Sequence, residues 1–260
     1  MKRVSFVFGV LILSLLLITG CGGDKQEPAA EDQTKQIFSF ACSGAYDPFS
    51  FYDEKTNELT GFDVEIGIAL AEKMGMKPMP QSAPWQSLIT GLKAERYDAI
   101  IGSMTITEER LKEVDFTDPY YVSGPKLFVR KDSAIKSVDD LKQDTAIGVL
   151  SSSVYEELAK KYSSNLKFYD SDVTALRDLA QGRSEAVITD QNVGVITANK
   201  ANLDVVAVGD LLMVENIGIA VRKGSPLREK LNQALKDIKA DGTYLKICEK
   251  YVGMDISGDK

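Results

Sequence analysis

The chain has 260 residues, a length that favours two domains over a single ordinary core. It carries 31 Lys plus Arg against 38 Asp plus Glu, with no histidine and three cysteines. The net charge of -7 argues against a nucleic-acid partner, because proteins that bind the phosphate backbone carry a clustered positive surface. Without histidine, Ser-His-Asp triads and histidine-containing zinc sites are excluded, and three thiols are too few for an all-cysteine zinc site. We therefore expect neither a metal nor a cofactor.

The N-terminal segment has the pattern of an export signal. Two basic residues precede an apolar run over residues 4–18, and small residues follow it before Cys21. At about 15 residues, the run is shorter than the roughly 20 that span a bilayer. Residues 1–20 are therefore predicted to be a signal peptide, and the polar residues 21–36 a flexible tether. We expect the protein to act outside the cytoplasm.

Beyond the tether, apolar runs typical of strands alternate with segments of helical periodicity. We predict strands at 37–41, 77–80 and 98–103, and helices at 62–74, at 86–94 and from about Thr107. After Lys131 the alternation restarts, with a short helical segment at 138–141, strands at 146–150, 166–169 and 186–189, and helices at 154–162, 173–181 and 193–200. This order predicts two α/β blocks, each built from βαβ units around a mostly parallel sheet.

The C-terminal helices are expected to return to the first block. A predicted strand at 217–221 is followed by helices at 226–241 and 244–251, which have no sheet of their own to cover. The chain would then cross between the two blocks twice.

One predicted strand end leads to an arginine. In open parallel sheets, ligands gather outside the carboxyl ends of strands. Thr105 and Glu108 have capping-box spacing, so Arg110 would lie near a helix start, where the dipole opposes a cation. Its guanidinium could grip a carboxylate, with Ser103 and Thr105 adding contacts. Alternatively, Arg110 is a surface residue offset by neighbouring glutamates, and spacing alone does not decide.

Residues at two further strand ends and two aromatic residues in loops could likewise have either a ligand-binding or a purely structural role. Ser153 precedes the helix that begins at Val154, where hydroxyls and N–H groups suit either an anion or simple N-capping. Asp190 precedes another helix, where it could cap the helix or bind an ammonium group. Tyr46 and Trp85 lie in loops after strands, where they could pack locally or enclose an aliphatic ligand.

Two cysteines follow the tether. Cys42 and Cys248 would lie in an oxidising compartment and could form a disulfide. The sequence does not show whether their Cα atoms come within bonding range, so both states remain open.

Several motifs resemble the family 3 extracellular solute-binding proteins, the polar amino-acid receptors of ABC importers. They are YDPF at 46–49, LTGFD at 59–63, the run at 85–92, YDAI at 97–100, TITEER at 105–110 and DFTDPYY at 115–121. The resemblance covers residues 37–253, and the block at 98–121 is its most specific part.

The resemblance implies an α/β, two-lobed periplasmic-binding-protein-like fold of type II, the cluster type, with a ligand cleft between the lobes. Lobe 1 would comprise residues 37–121 plus 217–256, and lobe 2 residues 122–216. The two hinge crossings would lie near 120–124 and 213–217.

By position, the resemblance gives roles to the candidate residues. Arg110 matches the arginine that binds the ligand α-carboxylate, and Asp190 matches the aspartate that binds the α-ammonium. Tyr46 and Trp85 match the aromatics that flank the ligand. The other ligand-binding positions implied are Ser103, Met104, Thr105, Ser153 and Val154.

The chain departs from the family pattern in ways that bear on the ligand. Relatives often have a Thr-Asp pair where this chain has Ala41 to Ser43, and glutamine-binding relatives have a lysine at the position of Leu150. Glutamine is therefore not expected, and an acidic ligand lacks a second cation. A neutral or basic amino acid remains, with Asp47 and Glu215 as carboxylates that could reach a basic side chain.

Residues 18–21 also resemble the bacterial lipobox, in which the cysteine receives lipid, palmitate included. Cys21 would then anchor the protein on the outer side of the cell membrane, the periplasmic side in a Gram-negative cell. We expect a lipoprotein that captures a free amino acid, delivers it to an ABC permease and performs no catalysis.

Two alternatives use the same fold. An exported cyclohexadienyl-type dehydratase would need a general acid in the cleft, for which Glu215 is the candidate. A sensor domain would need a further domain or a spanning helix beyond Lys260, and we expect neither.

Overall fold

The computed structural model describes residues 35–258. The predicted signal peptide, Cys21 and nearly all of the tether lie outside the described residues, so those expectations remain predictions. No helix within the described range is long and apolar enough to cross a membrane.

The described chain forms fourteen strands and eight α-helices. The strands are β1 (Ile37–Cys42), β2 (Ala45–Tyr46), β3 (Ser50–Tyr52), β4 (Leu59–Thr60), β5 (Lys77–Ser82), β6 (Ala99–Thr105), β7 (Asp115–Phe116), β8 (Tyr121–Ser123), β9 (Pro125–Arg130), β10 (Ile147–Leu150), β11 (Leu166–Tyr169), β12 (Ala186–Asp190), β13 (Val205–Val208) and β14 (Glu215–Val221). The helices are α1 (Phe62–Lys73), α2 (Leu88–Lys93), α3 (Glu108–Glu113), α4 (Val154–Ala159), α5 (Asp172–Ala180), α6 (Gln191–Lys200), α7 (Leu227–Ala240) and α8 (Thr243–Tyr251). Short 3-10 turns lie at Trp85–Ser87 and Val138–Asp140.

The first large sheet has the strand order β5-β1-β6-β14-β7, and β8 also pairs with β14. Strand β1 runs parallel to β5 and β6, whereas β14 is antiparallel to its neighbours. Every residue of β1 after Ile37 is buried, as expected for an inner strand covered on both faces. Helices α7 and α8 pack against α1 beside this sheet. We call this sheet and the helices packed on it lobe 1.

The second large sheet has the order β11-β10-β12-β9-β13. Strand β10 is parallel to β11 and β12, and β9 is antiparallel to β12 and β13. Helices α4, α5 and α6 pack on it, and we call this sheet with its helices lobe 2. A small third sheet, β2-β3-β4, lies beside α1 and carries Tyr46.

The two connections between the lobes run side by side. The chain leaves β8 in lobe 1, passes through Gly124 and enters β9 in lobe 2, and it returns between β13 and β14. Ser123 is paired with Glu215 across the β8–β14 ladder. A Cβ atom on Gly124 would lie 2.1 Å from the carbonyl oxygen of Met213, so only glycine fits this close approach.

One sequence-based expectation differs from the structure, and one open question is answered. Thr105 is not a helix cap: it ends β6, and α3 begins at Glu108 with Thr107 as the N-cap. Strand β6 extends through Thr105 because that residue pairs with Ile217 of β14, and the cap therefore moves two residues along the chain. Cys42 and Cys248 are both buried and both free, so they do not form a disulfide.

Candidate ligand-binding cleft

A cavity with about 450 Å³ of empty volume lies between the strand ends of lobe 1 and the helix starts of lobe 2. Its lining residues come from both lobes and are Ser43, Ala45, Tyr46, Trp85, Gly102, Ser103, Thr105, Arg110, Leu150, Ser153, Val154, Tyr155, Asp170, Ser171 and Asp172.

Arg110 brings a positive charge to the cavity wall. Its Nη1 donates a hydrogen bond to the carbonyl oxygen of Thr105 at 2.8 Å, and its guanidinium lies 5.3 Å from the ring centroid of Trp85. Burial lowers the pKa of the guanidinium because it disfavours the charged form, although Glu215 and Tyr155 oppose this effect. One of its five N–H groups is engaged in this bond, so most donors are available to an anion.

Ser103 is held at the cavity by a buried hydrogen-bond network. Its backbone has a left-handed φ of 58°, which is uncommon for a residue with a side chain. The Ser103 Oγ donates to Asp63 Oδ2 at 2.8 Å, and the Tyr120 hydroxyl donates to Asp63 Oδ1 at 2.6 Å. Burial raises the pKa of Asp63 to about 7, although both hydrogen bonds favour its charged form.

Glu215 connects the lobes beside the cavity. It begins β14 of lobe 1 and accepts hydrogen bonds from the Thr105 hydroxyl at 3.1 Å and from the Tyr155 hydroxyl of lobe 2 at 3.2 Å. Burial raises its pKa to about 7, and the nearby Asp190 carboxylate adds to the increase. Its hydroxyl partners and its position near Arg110 lower the pKa in part.

Asp190 serves as the N-cap of α6. Its Oδ1 accepts hydrogen bonds from the backbone N–H groups of Asn192 at 2.7 Å and Val193 at 3.1 Å. Burial is the main cause that raises its pKa. Asp190 is not among the residues that line the cavity, and neither is Met104, whose side chain packs in a core cluster of lobe 1.

The start of α4 brings hydroxyl and backbone groups to the lobe 2 side. Ser153 is the N-cap, and its hydroxyl accepts from Glu156 N at 3.4 Å while donating to the Leu150 carbonyl at 2.6 Å. Val154, the next residue, also lines the cavity.

Three polar contacts join the lobes near the cavity mouth. Trp85 Nε1 donates to the Ser152 carbonyl at 3.3 Å, and the Ser171 hydroxyl donates to the Ala45 carbonyl at 3.1 Å. Lys200 Nζ lies 2.8 Å from Asp47 Oδ1. This ion pair engages Asp47, one of the two candidate carboxylates for a basic ligand side chain.

Sequence analysis missed Asp63, Tyr155 and Asp172 as residues of the site or its support. Asp172 is the first residue of α5, and Tyr155 and Asp63 lie in the first turns of α4 and α1, where acidic and aromatic residues are ordinary. Their roles depend on contacts far along the chain, such as Tyr155 with Glu215, and no local pattern indicates such contacts.

Comparison with known families identifies the class of protein that this fold and cleft define. Residues 38–254 match the family model of the bacterial extracellular solute-binding proteins, family 3. The chain belongs to this family, as its motifs predict.

Individual relatives match over most of their length. The chain is 31% identical to the "Probable amino-acid-binding protein YxeM" of Bacillus subtilis, across 99% of this chain and 98% of the relative. It is 35% identical to an "L-arginine-binding protein" of Pseudomonas aeruginosa, across 99% of both chains. It is 33% identical to the "L-cystine-binding protein TcyJ" of Escherichia coli K12, across 82% of both.

Solved structures match in the same way. "An ancestral arginine-binding protein bound to glutamine" aligns with a TM-score of 0.78 at 38% identity, covering 84% of this chain and 99% of the other. The arginine-, lysine-, histidine-binding protein ArtJ of Geobacillus stearothermophilus aligns with a TM-score of 0.79 at 29% identity, covering 85% and 96%. These matches confirm the predicted two-lobed α/β fold.

Proposed function

We propose that the protein is the substrate-binding component of an ABC importer, which captures a polar, neutral or basic amino acid and delivers it to a membrane permease. The observation that carries this proposal is the Arg110 guanidinium, half-buried at the wall of a cavity between two lobes with donors left for a carboxylate. The family membership supports it, since several relatives are named for arginine or cystine binding.

In this proposal, Arg110 binds the α-carboxylate through paired, charge-assisted hydrogen bonds. Ser103, Thr105, Ser153 and the backbone of Val154 add polar contacts to the ligand. The side chain of Met104 lies in the core, so this residue contributes through its backbone.

The remaining proposed contacts are with the ammonium group and the aliphatic part of the ligand. Asp190 would bind the α-ammonium with the carboxylate oxygen that does not cap α6. Tyr46 and Trp85, both at the cavity wall, would enclose the aliphatic part.

The ligand would act by shifting a conformational equilibrium, and no bond is made or broken. An amino acid held by Arg110 of lobe 1 and Asp190 of lobe 2 stabilises the closed state by its extra affinity for that state. The contacts across the cavity mouth, such as Lys200 with Asp47, would be lost when the lobes separate. The permease would recognise this closed form.

The proposed location is the outer face of the cell membrane. Signal peptide cleavage after residue 20 would leave Cys21 as the lipid-bearing N-terminus, and residues 22–36 would connect the lipid to the two lobes. Cys21→Ser should move the protein from the membrane fraction to the soluble extracytoplasmic fraction. Retention of Cys21→Ser on the membrane would contradict lipid anchoring at this residue.

A thermal-shift screen against the twenty amino acids, cystine and ornithine tests the binding function. A ligand at 100 times its Kd adds about 2.7 kcal/mol of stability, which raises the melting temperature measurably. Isothermal calorimetry then gives the affinity of each ligand that raises it. A folded protein whose melting temperature responds to none of these compounds would contradict the proposal.

A further inference from the structure

Asp172 has a buried carboxylate oxygen at the cavity wall that has no partner. Its side chain is 1% exposed and lines the cavity, and its Oδ1 accepts a hydrogen bond from the Thr189 hydroxyl at 2.7 Å. Its Oδ2 has no hydrogen-bond partner. A buried carboxylate without a full set of partners is costly, and a cationic group is the partner that offsets this cost most.

The other carboxylates near the cavity have more hydrogen-bond or ion-pair partners. Asp190 caps α6, and Glu215 accepts two hydroxyl groups. Asp47, at the mouth, is paired with Lys200. Asp172 is therefore the buried carboxylate among the cavity-lining residues that has an oxygen without a hydrogen-bond partner.

The charges buried around the cavity indicate which charged groups a ligand in it carries. Among the described cavity-lining residues, Arg110 is the cation, while Asp172, Asp190 and Glu215 are buried carboxylates on or beside the wall. A ligand with one carboxylate and one ammonium uses Arg110 and Asp190 in the binding mode proposed above. It leaves Asp172 Oδ2 without a partner, whereas a ligand with a second cationic nitrogen provides one.

We propose that Asp172 accepts a hydrogen bond from a second cationic nitrogen of the ligand and thereby selects basic amino acids over neutral ones of the same shape. This inference rests on the proposed amino-acid-binding function and narrows it to one substrate class. Replacing Asp172 with Asn keeps the oxygen that accepts from Thr189 but removes the charge.

The test compares two ligand pairs that differ chiefly in a cationic nitrogen, L-arginine with L-citrulline and L-lysine with L-norleucine. Calorimetry is performed on the wild type, on Asp172→Asn and on Asp144→Asn. The control residue Asp144 is an exposed aspartate that precedes β10 and does not line the cavity. The wild type should bind the cationic member of at least one pair more than tenfold tighter than its neutral partner.

In Asp172→Asn, affinity for that cationic ligand should fall at least tenfold, while affinity for the neutral partner changes less than threefold. Asp144→Asn should keep the wild-type ratio within threefold. If Asp172→Asn does not fold, as judged by circular dichroism, Asp172→Ser removes the charge with a residue that also favours helix starts.

Three outcomes would overturn the inference. Equal wild-type affinity for both members of each pair removes the selectivity but leaves the amino-acid-binding function intact. An equal loss for both members in Asp172→Asn would mean that Asp172 does not recognise the second cation. A wild type that binds no amino acid at all would overturn the proposed function together with this inference.

Discussion

The hydroxyl of Ser103 donates a hydrogen bond to Oδ2 of Asp63 at 2.8 Å, and this bond fixes a cavity-wall residue to the first turn of α1. Tyr120 completes the arrangement, because its hydroxyl donates to Asp63 Oδ1 and accepts from the backbone N–H of Ser103 at 3.0 Å. The left-handed backbone at Ser103 is therefore supported from two directions.

Tyr120→Phe should destabilise the protein by about 1–3 kcal/mol, because it leaves a buried carboxylate oxygen and a backbone N–H without partners. Urea unfolding of the ligand-free protein measures the change, with Tyr52→Phe as the control, since Tyr52 is exposed. Ligand affinity should fall as well, because Ser103 loses one of its supports. Equal stability of the two variants would show that this network does not hold the wall in place.

Arg110→Ala should lower amino-acid affinity at least a hundredfold, about 2.8 kcal/mol at 1.4 kcal/mol per tenfold, while the fold survives. The ligand carboxylate would lose a charge-assisted, forked partner in a closed cavity. Arg110→Lys should recover the affinity only in part, since an ammonium group cannot make the paired contact. Exposed Arg96→Ala serves as the control, and near-normal binding by Arg110→Ala in calorimetry would remove Arg110 from the site.

Asp190→Asn should weaken binding and leave the lobes apart. Asparagine is as good an N-cap as aspartate, so α6 keeps its start, but the charge proposed to bind the ammonium is lost. Small-angle scattering with and without ligand is the measurement, and the wild-type radius of gyration should shrink on saturation. A wild-type radius that does not change would refute closure of the two lobes, whatever the affinities.

Glu215→Gln should reduce the pH dependence of stability. The pKa of Glu215 is about 7 in the folded protein against an ordinary 4.5, so the folded state holds its proton more tightly than the unfolded state does. Stability from this group is full below about pH 4.5 and is lost as pH rises to about 7. Asp63 and Asp172 contribute in the same direction, since their pKa values are raised to about 7 and about 6.

The ligand-free wild type should therefore lose stability between pH 5 and pH 8, and Glu215→Gln should lose less. Urea unfolding at the two pH values gives the comparison. A variant whose loss equals that of the wild type would mean that Glu215 is charged in the folded state throughout this range.

Incubation with prephenate or arogenate should give no aromatic product. One structural match is an ancestral amino-acid-binding protein described as a precursor of cyclohexadienyl dehydratase, so this activity is the relevant one to exclude. The carboxyl group of Glu215 is engaged by Thr105 and Tyr155 and does not line the cavity. Phenylpyruvate detected by ultraviolet absorbance above a boiled control would favour the dehydratase instead.

The long, strongly patterned elements were predictable from sequence, whereas the short ones were not. The helix predicted at 62–74 is α1, Phe62–Lys73, because its apolar residues recur at helical spacing. Strands such as β2 and β4 have two residues each, too few for any periodicity. The antiparallel strand β9 was not predicted either, since pairing with distant segments defines it.

In the cleft too, contacts between residues far apart in the chain could not be predicted from local sequence patterns. Arg110, Tyr46 and Trp85 could be named because family motifs contain them, and all three line the cavity. Asp172 could not be named from the sequence, because a polar residue at a helix start is normally solvated. Its burial becomes visible only when the fold brings the hydroxyl of Thr189, from a neighbouring strand, to its carboxylate.

The close contact between Gly124 and the Met213 carbonyl has a consequence for the kind of motion that the lobes can make. Two separate connections would let the lobes twist and slide as well as bend. Here the connections are joined by the β8–β14 ladder and by the bond from Leu212 N to the Pro125 carbonyl, so they act as a single ribbon. A ribbon bends more easily across its face than within its plane, so we expect the cleft to open mainly by rotation about one axis.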